Sequence, residues 1–461
     1  MKKFFLPLVL SVLIGLVCFN SAVAQKSSNP FAWSFTGGSG ISANPASWVT
    51  ISVDNWNKPY VCYVDFPSSL NVNVLSYSNN TWSQVGQAGF VSGLDVTMAL
   101  DNLGIPYVAM CQSHFPLVNQ ASVMVFDGVN FDYLGNQYFS AGDTYHTSIA
   151  ISPSGQPYVV YQDAAFDSKL SVMKFDGSAW VNVGPAGFSA NYGRNPVIRI
   201  SAANEPYVAF QDHANSLKAT VMKYDGSAWA FVGNAGFSQG EMDSISLAFS
   251  PTGEPYVAFS DMVNSWKASV MKFDGSQWIY VGTPGFSSGA AGWTSLAFNY
   301  QGWPVVGYQD AGNSLKATVM AFDGNQWINA GQAGFSPGPA TCTSLVSAPN
   351  GKLYIAFSDG ANSAKLTVME YSEYEGISQP AEPLFTLYPN PVSDVLKVRF
   401  SETGNSTKSI HIIDSGGKEV RSSFCNVNEY QVNVKDFAPG VYCIHINASG
   451  RSFYRKFIRE N

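Results

Sequence analysis

Between residues 25 and 373, short runs of alternating apolar and polar residues return again and again, each bounded by turn-forming residues. One stretch reads Ser246 to Ser250, Pro255 to Asp261, Lys267 to Phe273 and Trp278 to Val281, punctuated by Pro251-Thr252-Gly253 and Asp274-Gly275. Runs of this length with a period of two predict four β-strands joined by tight turns. In the second run Tyr256, Ala258 and Ser260 share one face while Val257, Phe259 and Asp261 share the other. Apolar residues on both faces predict a strand covered from both sides.

The pattern is periodic on a larger scale. Asp127-Gly128, Asp176-Gly177, Asp225-Gly226, Asp274-Gly275 and Asp323-Gly324 follow one another at intervals of 49 residues, and Ser78 and Ser372 occupy the same setting one step before and after. That makes seven copies of a four-stranded unit. Such a unit cannot bury both faces alone, and stacking around an axis completes the core, which predicts a seven-bladed β-propeller. An aromatic residue opens each fourth strand, at Trp82, Phe131, Trp180, Trp229, Trp278 and Trp327, but the seventh copy has none. Trp33 supplies it, because Trp33-Ser-Phe-Thr-Gly-Gly-Ser-Gly-Ile-Ser parallels Trp180-Val-Asn-Val-Gly-Pro-Ala-Gly-Phe-Ser. The N-terminal strand is therefore expected to complete the last blade and remove the open edges.

Composition agrees with an all-β chain: only 12% of residues are charged and 41 are Gly. Residues 25–382 carry 13 Lys plus Arg against 25 Asp plus Glu, a net charge of −12, whereas residues 383–461 carry 10 against 7, or +3. An acidic body repels phosphate backbones, which sets nucleic-acid binding aside. Lys2 and Lys3, the apolar run from Phe4 to Val17 and Ala22-Val23-Ala24 predict a signal peptide over 1–24. Val17 before Cys18 is too bulky for a lipidation motif, and no later run approaches the roughly 20 apolar residues of a transmembrane segment. Cys62, Cys111, Cys342, Cys425 and Cys443 remain, an odd number without metal-ligand spacing. Cys425 and Cys443 are either a disulfide pair or two isolated small side chains. No metal site or cofactor is predicted.

Two loops repeat on what should be one end of the ring. The first joins strands two and three and carries Asp163, then Asp212, Asn215 and Lys218, then Asp261, Asn264 and Lys267, then Asp310, Asn313 and Lys316. Turn chemistry explains these residues if Asp and Asn satisfy the hairpin backbone and Lys pairs with Asp. The functional reading makes them equivalent shallow sites for an extracellular glycan, with Phe or Trp for sugar faces. The second loop is Gly233-Asn-Ala-Gly-Phe237. Departures from symmetry point to one site: Ser113-His114 replaces an expected Asp, His213 follows Asp212, and His146 stands where other copies have Asn195 and Trp293. These three histidines, with Asp163, Tyr192 and Arg194 nearby in the expected ring, are candidates for general-base chemistry. No GxSxG, HExxH or phosphate-cradling loop accompanies them.

After residue 373 the text changes. Residues 374–382 read as a linker. Then Tyr388-Pro389-Asn390-Pro391 precedes the alternating Val395 to Phe400, and Ala438-Pro439-Gly440-Val441-Tyr442 precedes a basic end at Arg455-Lys456. Alternation alone predicts a small β-sandwich. Together these motifs over 383–461 resemble the type A C-terminal sorting domain of type IX secretion in Gram-negative bacteria. The resemblance implies recognition by the type IX secretion machinery, passage through the outer membrane, tail removal, and release or anchoring at the cell surface. For the propeller, 25–373, the Asp-Gly turn resembles the Asp-box of sialidase-like propellers but lacks its intervening residue, so no catalytic residue carries over. The expected function is a secreted or cell-surface binding protein for carbohydrate or another extracellular polymer. The alternatives are a polysaccharide-active hydrolase or lyase and a structural adhesion component.

Overall fold

The computed structural model describes residues 32–67, 69–114, 118–371, 385–400, 408–414, 418–448 and 451–460. The expected signal peptide and linker lie outside the described residues. Seven antiparallel four-stranded sheets form the body, and the first carries one further short strand, Val91–Ser92. The innermost strands are Ala46–Val53, Leu94–Leu100, Thr144–Ile151, Gly193–Ile200, Met242–Phe249, Ala291–Phe298 and Ala340–Ser347. Each touches the innermost strand of the next sheet, and the last touches the first, so the seven blades close a ring. The body is a seven-bladed β-propeller.

The clasp is where the sequence places it. Ser34–Phe35 pairs with Lys365–Tyr371 as the outer strand of blade 7, and Thr36 and Ile41 continue the contact through their amides to the Val368 and Leu366 carbonyls. Second strands such as Pro255–Asp261 are buried along their whole length, as apolar residues on both faces require. One boundary differs from expectation. The innermost strand of blade 5 starts at Met242, four residues before Ser246, because a bulge between Asp243 and Ser246 interrupts the alternation that marks a strand in sequence.

The C-terminal unit packs a three-stranded sheet (Phe385–Tyr388, Val395–Phe400, Glu429–Asn433) on a four-stranded one (Glu419–Cys425, Lys408–Asp414, Gly440–Ala448, Arg451–Arg459). Leu396 and Val398 from the first sheet and Ile410, Ile444 and Phe457 from the second share one buried core, the sandwich expected from alternation. No disulfide joins Cys425 to Cys443. The strand Lys408–Asp414 lies between theirs and pairs its first residue with Cys425 and its sixth with Cys443, so the side chains stand at opposite ends.

Candidate functional site

The repeated aspartates are buried hubs. Asp163, Asp212, Asp261 and Asp310 end the second strands and are almost wholly enclosed. Asp310 accepts from the Gly312 amide (3.0 Å), Asn313 Nδ2 (2.7 Å) and Thr318 Oγ1 (2.9 Å), and also from Ser288 Oγ. Asp212 uses Ala214 N, Asn215 Nδ2 and Thr220 Oγ1 in the same way, Asp261 uses Asn264 and Ser269, and Asp163 uses Ala165 and Ser171. Burial raises the Asp163 carboxyl above its ordinary value, with the Ser171 and Ala165 bonds opposing. Each serine or threonine hydroxyl in turn accepts the amide of the following loop glycine, Gly236 on Thr220 and Gly334 on Thr318. One carboxylate thus fixes both repeated loops. Lys218, Lys267 and Lys316 stand opposite these aspartates in strand register. No ion pair joins Lys to Asp there among the described residues; the carboxylates bond instead to the amide and hydroxyl donors of their own hairpins.

The repeated aromatics are consumed between blades. Trp278 stacks on Phe237 of the preceding blade at 4.3 Å and donates Nε1 to Val232 O at 2.7 Å. Trp33, Trp180, Trp229 and Trp327 repeat both contacts. Phe131, which has no N–H, keeps only the stack, on Phe90. The Phe of the Gly-Asn-Ala-Gly-Phe loop therefore faces a neighbouring Trp rather than a ligand.

The histidines fall at different radii. His146 is on the innermost strand of blade 3, its amide bonded to Asp95 Oδ2 at 2.9 Å. His213 opens the outer turn of blade 4 and stacks on Tyr192 at 4.0 Å. His114 ends the strand Pro106–His114, and its side chain lies outside what is described. In that blade Gln112 takes the aspartate position, since the strand register aligns it with Asp163 and leaves Ser113 and His114 beyond. Gln112 is buried and donates to Tyr133 Oη at 3.0 Å. Arg194 is exposed on the innermost strand of blade 4, whereas Asp163 is sealed in its hub. No bond or ring contact joins His146 to His213 among the described residues.

What sequence reasoning missed is a belt around the axis. At the bulge of every innermost strand one residue is left-handed: Trp48, Asp95, His146, Asn195, Ser244, Trp293 and Cys342, with φ between 47° and 54°. A non-glycine residue in this conformation costs on the order of 1 kcal/mol, so a ring of seven persists only where neighbours hold it. Trp48 Nε1 donates to Asp95 Oδ1 (2.9 Å), Asn195 Nδ2 to Asp243 Oδ1 (3.1 Å), and the Trp293 amide to Ser244 Oγ (3.2 Å). Thr147, Thr294 and Thr343 donate their hydroxyls to the carbonyls of Asp95, Ser244 and Trp293 in the preceding blades. One step inward, Ser148, Ser246, Ser295 and Ser344 accept the amides of Ile198, Leu296, Leu345 and Ile51 across the blade boundaries. The belt lies at the end of the ring that carries both repeated loops. The same end exposes Phe66, Tyr145, Phe166, Met262, Val263, Trp266, Trp293 and Leu315. The sequence signal for the belt is negative: one position in each copy where the aligned residues share no common type, seen already where His146 stands opposite Asn195 and Trp293.

In the C-terminal unit, the Tyr-Pro-Asn-Pro run ties the first strand to the last. Asn390 Oδ1 accepts the Ile458 amide (2.9 Å), and Val392 exchanges backbone bonds with Ile458 and Glu460. Pro389 and Pro391 bracket this contact, both after cis peptide bonds. Tyr388 Oη donates to Glu429 Oε2 at 2.5 Å, beside the Arg399–Glu429 pair at 3.1 Å. Tyr442, two residues after Gly440 and three after Pro439, donates to Ala438 O and stacks on Phe457. A family model, the secretion system C-terminal sorting domain, matches residues 386–460. These residues form a sorting domain. It marks the chain for secretion, and the first-to-last strand tie belongs to it rather than to the propeller's chemistry. Among the described residues no helix is long and apolar enough to cross a membrane. No curated protein matches the chain in sequence. Among solved structures it is similar to an ulvan lyase of polysaccharide lyase family PL25 (10% identity, 73% of this chain and 94% of that one, TM-score 0.49). It is also similar to PorZ, a surface component of the type IX secretion system of Porphyromonas gingivalis (12%, 90% and 70%, 0.39), and to the SapL1 lectin (15%, 76% and 100%, 0.43). At such identities these are likenesses of fold alone.

Proposed function

We propose that the propeller is an extracellular binding module that recognises carbohydrate or another extracellular polymer through the loop end of its ring, and that the chain divides into a signal peptide over 1–24, the propeller over 25–373, a linker over 374–382 and the sorting domain over 383–461. The observation that carries the reading is the gathering of exposed Trp266, Trp293, Tyr145 and Phe66 with Asn195, Asp243 and Ser244 at one end. Large exposed apolar groups beside planar polar ones are unusual on a surface without a partner. Aromatic faces suit the C–H faces of sugar rings, and amide, carboxylate and hydroxyl groups suit their hydroxyls. Trp266 and Trp293 belong to one sector, since the Trp266 carbonyl accepts the amide of Ala291, two residues before Trp293. The hub aspartates, Asn215, Asn264, Asn313 and the three lysines remain in this proposal only as the frame and rim of that surface.

The test is a glycan and polysaccharide array on the full secreted chain, reading retention and product release together. Trp293→Ser installs the residue that blade 5 carries at the same position, and Trp266→Leu the one that blades 4 and 6 carry. The double variant should keep its Tm and weaken retention at least about tenfold, equal to about 1.4 kcal/mol. Unchanged retention would refute the surface, and product release from the array would replace the binding reading with the enzymatic one.

A further inference from the structure

At the opposite end of the innermost strands the repeat is broken by one long cation. The position filled by Ser52, Ala99, Ala150, Ala248, Ala297 and Val346 in six blades holds Arg199 in blade 4, one residue before the strand ends. An innermost strand has a blade on either side and its own second strand behind it, which leaves a solvent-exposed side chain there only the axis and the end of the ring to face. Arg199 is exposed, yet the protein around it lowers its guanidinium pKa by desolvation. Both fit a side chain that reaches solvent within the space enclosed by the seven innermost strands.

Nη1 of Arg199 donates to Ile198 O at 2.8 Å, and no carboxylate forms an ion pair with the guanidinium among the described residues. The acids at this end are engaged elsewhere. Asp54 and Asp101 accept the amides of their own hairpins, and Glu205 and Glu254 pair with Lys223 and Lys272. A guanidinium has five N–H donors in a planar fork, and a desolvated cation is costly unless something pairs with it. The equivalent residues in neighbouring blades are small, which leaves room for a group to lie against the fork. We propose that Arg199 forms an axial site for a single oxyanionic group, a carboxylate, sulfate or phosphate, at the end of the ring remote from the loop surface. One arginine in a body of net charge −12 suits a lone anionic group and repels a polyanion.

The test uses the full chain with sodium acetate, sulfate and phosphate in turn, each against sodium chloride at equal ionic strength, read by thermal shift and titration calorimetry. At least one anion should raise Tm with saturation and give heat of binding at one site. Arg199→Ala should abolish both and still fold, because alanine already stands at this position in blades 2, 3, 5 and 6. Arg199→Lys, which keeps the charge and loses the fork, should weaken binding by about fivefold or more. Equal shifts in the parent and in Arg199→Ala would overturn the site. So would the absence of any saturable effect up to about 50 mM of all three anions.

Discussion

Trp33→Ala tests whether the ring is closed by its N-terminal clasp. Trp33 is 8% exposed, stacks on Phe335 at 4.4 Å and on Tyr371 at 5.3 Å, and donates Nε1 to Ala330 O at 2.7 Å. Truncating a buried tryptophan costs about 3–5 kcal/mol, including the lost stack, the orphaned carbonyl and the cavity. In a ring of this size that corresponds to a fall in Tm of about 4–7 °C. The same arithmetic applies to Trp278→Ala, so Tm alone does not separate a clasp from an ordinary blade contact. Location does. The strand that Trp33 anchors is two residues long, and beyond it the clasp depends on Thr36, Gly40 and Ile41 bonding to Val368, Thr367 and Leu366. Trp33→Ala should therefore speed hydrogen exchange selectively in residues 34–42 and 365–371, whereas Trp278→Ala should speed it in blades 4 and 5. A rise spread evenly over seven blades, or a Tm within about 2 °C of the parent, would refute the clasp.

Asp310→Ala leaves the donors on Gly312, Asn313 and Thr318 without their acceptor and should cost about 3–5 kcal/mol, whereas Lys316→Ala should stay within about 0.5 kcal/mol. Urea denaturation of the full chain separates the two, and equal effects would contradict the hub. The exposed turn aspartates give a pH signature. Backbone amides of Ala228 and Ser227 hold the Asp225 carboxyl at about 2, and Asp127, Asp176, Asp274 and Asp323 are lowered by equivalent bonds. A depressed folded-state pKa gives stability that is present above the ordinary value of about 4 and lost as pH falls towards 2. The Tm advantage of the parent over Asp225→Asn should accordingly narrow between pH 5 and pH 2, and a constant difference in melting scans would contradict the assignment.

Much of the fold was legible because the ring writes its contacts seven times. The Trp of each fourth strand spans a blade boundary, so its recurrence reported the blades, and its absence after Ser372 with Trp33 in reserve reported the closure. The candidate site was less legible for the same reason. Asp212 and Asn215 recur because each blade needs the same hub to hold two loops, and a repeated polar group in a loop looks like a ligand site until its partners are known. The belt was hidden in the opposite way. Ser244 falls between two strand segments whose alternation it breaks, and neither its left-handed φ nor the bulge has a residue-type signature when the position holds Trp, Asp, His, Asn, Ser or Cys.

That freedom has a structural cause. Where Thr147, Thr294 and Thr343 secure the belt, they bond to the carbonyls of Asp95, Ser244 and Trp293, and the serines one step inward bond to backbone amides. Backbone groups are present whatever the side chain, so at Trp293 the ring's cohesion places no demand on the indole. His146 is in the same position, its amide held by Asp95 while its imidazole is left over. Three belt side chains are exceptions: Ser244 accepts the Trp293 amide and Asn195 donates to Asp243, one bond each, whereas the two carboxylate oxygens of Asp95 join Trp48 and His146, so a change there should loosen three blades at once. A propeller built this way separates two kinds of position on the same strand. Buried repeats fix the ring, and belt residues such as Trp293 and His146, held through their backbone, can be exchanged with little effect on stability.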